Sequence, residues 1–163
     1  MAYYTHNTNP NYYKENCGFS NCGSYAFNIE EWYDADNGFE WEVGDIDSWV
    51  TEMATYYSDE EISEMYSKAV VEQIFDDFDE EIRELSSESD PLLPNEELVA
   101  FRGYCEYFED SGYSDYDFHF KVFRDGQWME KCGSCPVQPC TLENWTYSYR
   151  TYNSKTYFFA HTV

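Results

Sequence analysis

The feature that most constrains this chain is a change of hydrophobic period near Pro94. Upstream, Ile62, Met65, Ala69, Val70, Ile74, Phe75, Phe78 and Ile82 recur at steps of three and four, the spacing that puts apolar side chains on one face of a helix. Ser58 with Asp59, Glu60 and Glu61 resembles a capping box at its start, so one long amphipathic helix is expected from Ser58 to near Leu85. A shorter helix is expected over Ser48 to Tyr57, with Trp49, Met53 and Tyr56 on one face. Ser86 to Pro94 reads as a surface loop.

Downstream, the aromatic and branched residues follow an extended pattern. Leu98 to Phe108, Phe118 to Phe123, Gln127 to Lys131 and Tyr157 to Thr162 read as strands, and Asp125-Gly126 is a strong hairpin turn between the second and third. Helices followed by an antiparallel sheet make an α+β domain. At 163 residues the chain fits one domain, with residues 29–97 as an acidic helical segment and residues 98–163 as the sheet.

Charge divides along the same line. Residues 29–97 carry 24 acids and two bases, nearly the whole net charge of -24, whereas the flanking segments hold every Cys and every His and are close to neutral. A field of this sign repels phosphate backbones and anionic lipid, so direct nucleic-acid binding and membrane association are not expected. The acids read as a solvated helical face or as a mimic of nucleic acid that occupies the groove of a basic host protein, as a viral inhibitor would. No basic segment followed by an apolar stretch opens the sequence, which favours a cytoplasmic location, that of the host cell if the protein is viral.

Six cysteines are too few for a disulfide scaffold at this length and are read as thiols, metal ligands or a nucleophile. Asn21-Cys22-Gly23-Ser24 reads as a polar cap and the first turn of a helix with Tyr25, Ile29 and Trp32 inward. There Cys22 is either a small buried residue or a thiol whose pKa the helix N-terminus lowers. Of the three histidines, His6 lies in the N-terminal segment and His161 two residues from the end, whereas His119 opens the strand that alternates toward the hairpin and is the candidate base. If Asp125-Gly126 is a two-residue turn, Lys121 faces Glu130 and His119 faces Cys132, so Glu130 becomes the diagonal neighbour of His119 and can orient its imidazole. An odd loop would reverse that parity, and Glu130 could instead be an exposed partner of Lys121. Cys17, Cys132, Cys135 and Cys140 offer a rival chemistry, a structural zinc site. Otherwise no cofactor is expected.

Asn21 to Ala26, Leu98 to Arg102, Asp117-Phe118-His119-Phe120, Arg124 to Trp128 and Lys131-Cys132-Gly133-Ser134 together resemble a group of papain-like cysteine hydrolases of bacteria and bacteriophages. The resemblance covers about half of the chain and differs from the group's pattern at Glu130, where that group has His, and at Cys132, where it has Pro. It implies a papain-like fold with the Cys-bearing helix packed on the sheet. It also implies Cys22 as nucleophile, His119 as base, Glu130 as orienter and a protein or peptide substrate. Asn16, six residues before Cys22, is a candidate for holding the oxyanion.

Overall fold

Ser58 closes the predicted capping box: its hydroxyl accepts from the Glu61 N–H at 3.3 Å, and Glu61 Oε1 accepts from the Ser58 N–H at 3.1 Å. In the computed structural model, residues 6–18, 21–30, 45–148 and 150–163 are described. Among them α1 is Tyr12–Glu15, α2 Cys22–Ala26, α3 Ile46–Met53 and α4 Asp59–Phe78. The strands are β1 Ile82–Leu85, β2 Glu96–Phe108, β3 Tyr113–Arg124, β4 Gln127–Lys131, β5 Val137–Pro139, β6 Thr146–Tyr147, β7 Arg150–Thr151 and β8 Tyr157–Thr162.

Six of these strands form one antiparallel sheet in the order β1-β8-β2-β3-β4-β5, and β6 pairs with β7 alone. Helices α2, α3 and α4 pack on one face of the sheet. The arrangement is α+β, as the change of period predicts. No described helix is long and apolar enough to cross a membrane.

The long helix stops at Phe78, short of the expected Leu85. Asp76, Asp77, Asp79, Glu80 and Glu81 crowd its C-terminal end, where the helix dipole disfavours anions, and Asp79 takes a positive φ of 47°. Ile82–Leu85 then gains more by pairing with β8, so residues that continue the helical period become an edge strand. In the shorter helix the buried positions are Ile46 and Val50, and Tyr56 lies beyond its end, 74% exposed, rather than on the packed face.

The buried side of α4 includes two serines because the sheet comes very close to it. Ser63 Oγ accepts from the Cys105 N–H at 2.8 Å and donates to the Cys105 carbonyl at 3.1 Å, and Gly103 sits opposite Ser67. Val99, Phe101, Phe120, Val122 and Phe159 complete the core against Tyr66, Val70 and Ile74. The acids Asp59, Glu60, Glu61, Glu72 and Asp76 remain exposed on the same helix.

Candidate functional site

Asn21 starts α2 as expected, its Oδ1 accepting from the Ser24 N–H at 2.9 Å. The helix is only five residues long. Asn28 adopts a positive φ of 53°, and the chain turns so that Ile29 bridges to His6 rather than extending the helix. Trp32 lies outside the described residues. Arg124 holds the far end of the helix: its guanidinium donates to the carbonyls of Tyr25 and Ala26, at 3.1 and 3.4 Å, while paired with Glu97 at 2.7 Å. A cation at a helix C-terminus satisfies carbonyls that the helix cannot.

Cys22 is the first residue of α2 and is 4% exposed. Its thiol donates to the Phe118 carbonyl at 3.9 Å, one residue before His119. Burial pushes the thiol up to about 12, although the backbone N–H groups of Phe120 and Gly23 favour the anion. The expectation of a lowered pKa is therefore overturned. A one-turn helix offers a weak dipole, and loss of water around the sulfur outweighs it.

The hairpin parity holds. Asp125 and Gly126, with φ of 55° and 81°, form the two-residue turn, Phe123 pairs with Trp128 and Lys121 pairs with Glu130. Positive φ at both central residues marks the turn whose twist suits the flanking strands. His119 Nε2 consequently lies 3.5 Å from Glu130 Oε1, with both side chains buried.

Although Glu130 and Lys121 are register partners, the described residues show no ion pair between their side chains, and Glu130 is buried rather than exposed. It accepts from the Tyr147 hydroxyl at 2.5 Å and from the Cys132 thiol at 3.4 Å. Burial raises its pKa, but the hydrogen bonds from His119, Tyr147 and Cys132 prevail and hold it near 2. Lys121 instead runs to the other end of the loop that carries Tyr147. Its ammonium donates to the carbonyls of Thr141, at 2.6 Å, and Asn144, and lies 4.2 Å from the Trp145 ring centroid. Lys121 thereby fixes the loop that delivers Tyr147 to Glu130.

Cys22 and His119 border one cavity of about 240 Å³, with Asn21, Asp117, Tyr147 and Tyr152 among its other walls. Asp117 is held there by Arg150, at 2.5 Å, and by the Tyr152 hydroxyl, at 2.9 Å. The rings of Tyr147 and Tyr152 flank His119 at centroid distances of 4.8 and 5.8 Å. Sequence reasoning missed Tyr147 and Tyr152, because nothing local to 146–152 marks a contact with Glu130 or His119, and it did not single out Asp117 within the Asp117-Phe118-His119-Phe120 motif.

Asn16 does not border this cavity. It closes α1, its side-chain amide donating to the Tyr12 carbonyl at 3.1 Å, and Asn21 occupies the wall beside Cys22. The rival zinc set, Cys17, Cys132, Cys135 and Cys140, is not a group with metal-like spacing among the described residues. All four are free thiols; Cys17 donates to the Ser134 carbonyl at 2.9 Å, and Cys135 is exposed. Among the described residues the group with metal-like spacing is instead His119, Glu130 and Cys132, whose ligand atoms lie within 4.8 Å of one another.

Comparison with known proteins finds no matching family model, no matching curated protein and no matching solved structure.

Proposed function

We propose that this protein is a cysteine hydrolase of papain-like type that cleaves an amide bond, as a protease or amidase, with Cys22 as nucleophile, His119 as base and Glu130 as orienter. The observation that carries the reading is one cavity bordered by both Cys22 and His119, with Glu130 set 3.5 Å from the far nitrogen of the imidazole. With Nε2 turned to Glu130, Nδ1 is the nitrogen left to take a proton from the thiol.

The resting thiol is protonated, so the mechanism begins with general-base catalysis rather than with a standing thiolate. As the sulfur attacks the carbonyl carbon, its proton passes to His119 and the carbonyl π electrons move to oxygen. N–H groups at the start of α2 stabilise that oxyanion. Collapse expels the amine, which takes the proton from His119, and water then hydrolyses the thioester. Glu130 stays ionised throughout and stabilises the imidazolium. A neutral or basic polypeptide is the substrate class that suits so acidic a chain, since an anionic one would be repelled.

The test is cleavage of a proteome-derived peptide mixture, read by mass spectrometry, with wild type, Cys22→Ala and His119→Gln compared after circular dichroism confirms that each is folded. Cleavage by wild type that falls about 1000-fold or more in both variants supports the assignment. Cleavage that survives Cys22→Ala overturns it.

A further inference from the structure

His119, Glu130 and Cys132 offer one nitrogen, one carboxylate and one sulfur at close range, with the first two almost fully buried. Nε2 to Oε1 is 3.5 Å, and Sγ to Oε2 is 3.4 Å. Tetrahedral zinc, with Zn–N and Zn–O of about 2.0–2.1 Å and Zn–S of about 2.3 Å, separates neighbouring ligand atoms by roughly 3.4–3.6 Å. Two of the edges, to the two oxygens of Glu130, already stand at that spacing, and one ligand atom from each of the three side chains lies within 4.8 Å of the others.

The donor set and its surroundings suit the same ion. Imidazole, carboxylate and thiolate together favour zinc over magnesium or calcium, which prefer all-oxygen sites. Glu130 and a deprotonated Cys132 would neutralise the two positive charges. The Tyr147 hydroxyl on Glu130 is the outer support that a ligating carboxylate requires. The cavity bordered by His119 and Cys132 leaves an open side for a fourth ligand.

We propose that His119, Glu130 and Cys132 bind one zinc ion, and that bound zinc and amide hydrolysis exclude each other. The binding stands apart from the hydrolase reading; the exclusion rests on it. An imidazole metallated through Nε2 carries its remaining proton on Nδ1, so it has no lone pair to accept the Cys22 proton. Zinc is then a reversible brake, set by the free metal concentration.

Binding is tested with cobalt(II) alone, as a spectroscopic probe, added anaerobically to the full reduced chain bearing Cys22→Ala, followed by displacement with zinc. One equivalent should give tetrahedral d–d bands and a thiolate-to-cobalt charge-transfer band. Adding Cys132→Ser should abolish the charge-transfer band and weaken binding about 10-fold or more, His119→Gln should weaken it similarly, and Cys135→Ser should leave the titration unchanged. Absence of the charge-transfer band, its persistence with Cys132→Ser or its loss with Cys135→Ser overturns the site. Because the titrated protein lacks the nucleophile, this result is independent of hydrolysis. The brake is tested on wild type, where saturating zinc should lower hydrolysis about 10-fold or more and a chelator should restore it. With the site established, hydrolysis unaffected by zinc overturns the exclusion alone. Hydrolysis that requires zinc and survives Cys22→Ala overturns both the exclusion and the cysteine mechanism.

Discussion

Glu130 Oε1 faces His119 Nε2 at 3.5 Å and accepts from the Tyr147 hydroxyl on the same oxygen at 2.5 Å. One carboxylate oxygen thus joins a strand residue placed by hairpin register to a residue of the short strand β6, which follows the segment held by Lys121. Removing that hydroxyl should be visible on Glu130 itself. In Tyr147→Phe the Glu130 pKa, measured by carboxyl-carbon NMR, should rise from about 2 by on the order of one unit. An unchanged Glu130 titration would show that His119 and Cys132 alone hold the carboxylate down.

The Cys22 thiol is shielded and protonated, whereas Cys135 is exposed. A small alkylating reagent should therefore modify Cys135 first, with Cys22 slower by about 100-fold or more at pH 7.5, as quantified by peptide mass spectrometry. Equal rates would contradict the burial of Cys22.

His161 is fully buried near Phe27 and Phe78, and among the described residues neither ring nitrogen has a hydrogen-bond partner. Burial, the largest cause, with His6 and Arg124 nearby, lowers its pKa from 6.5 to about 3. The unfolded chain therefore binds a proton that the folded chain refuses between these values. Stability from this residue is complete above pH 6.5 and is lost as pH falls toward 3, by roughly 1.4 kcal/mol per unit within the window. Urea unfolding at pH 7 and pH 5 should show a smaller loss on acidification for His161→Phe than for wild type. Comparing the two proteins cancels the effect of protonating the acidic helix face.

A Cβ on Gly103 would lie 2.1 Å from Ser67 Oγ. Gly103→Ala should destabilise the fold by about 1–3 kcal/mol, since overpacking forces α4 and β2 apart. Combining it with Ser67→Gly should recover part of the loss in denaturant unfolding. Full stability of Gly103→Ala alone would show that this interface yields easily.

Much of the site's skeleton is legible in the sequence. The Asp125-Gly126 dipeptide sets the hairpin register, and a period of two then assigns His119, Lys121 and Glu130 to one face. Other expectations failed where distant groups decided the outcome. Ile82 and Leu85 continue a helical spacing, yet β8 offers them a better partner. Asn16 has a suitable distance in sequence from Cys22, yet its own helix takes its amide. The C-x-x-C spacing of Cys132 and Cys135 resembles a metal motif, yet Cys132 turns to Glu130 while Cys135 faces solvent.

The sequence by itself determined what short-range geometry governs: the Ser58 capping box, the Asp-Gly turn, the strand parity and the start of the Cys22 helix. Each depends on bonds or alternation within a few residues. Only the tertiary structure decided that Cys22 is a protonated, buried thiol, that Glu130 serves Tyr147 and His119 rather than Lys121, and that Cys132 replaces the other thiols beside them. Those outcomes depend on desolvation and on contacts between segments far apart in the chain, which no local pattern encodes.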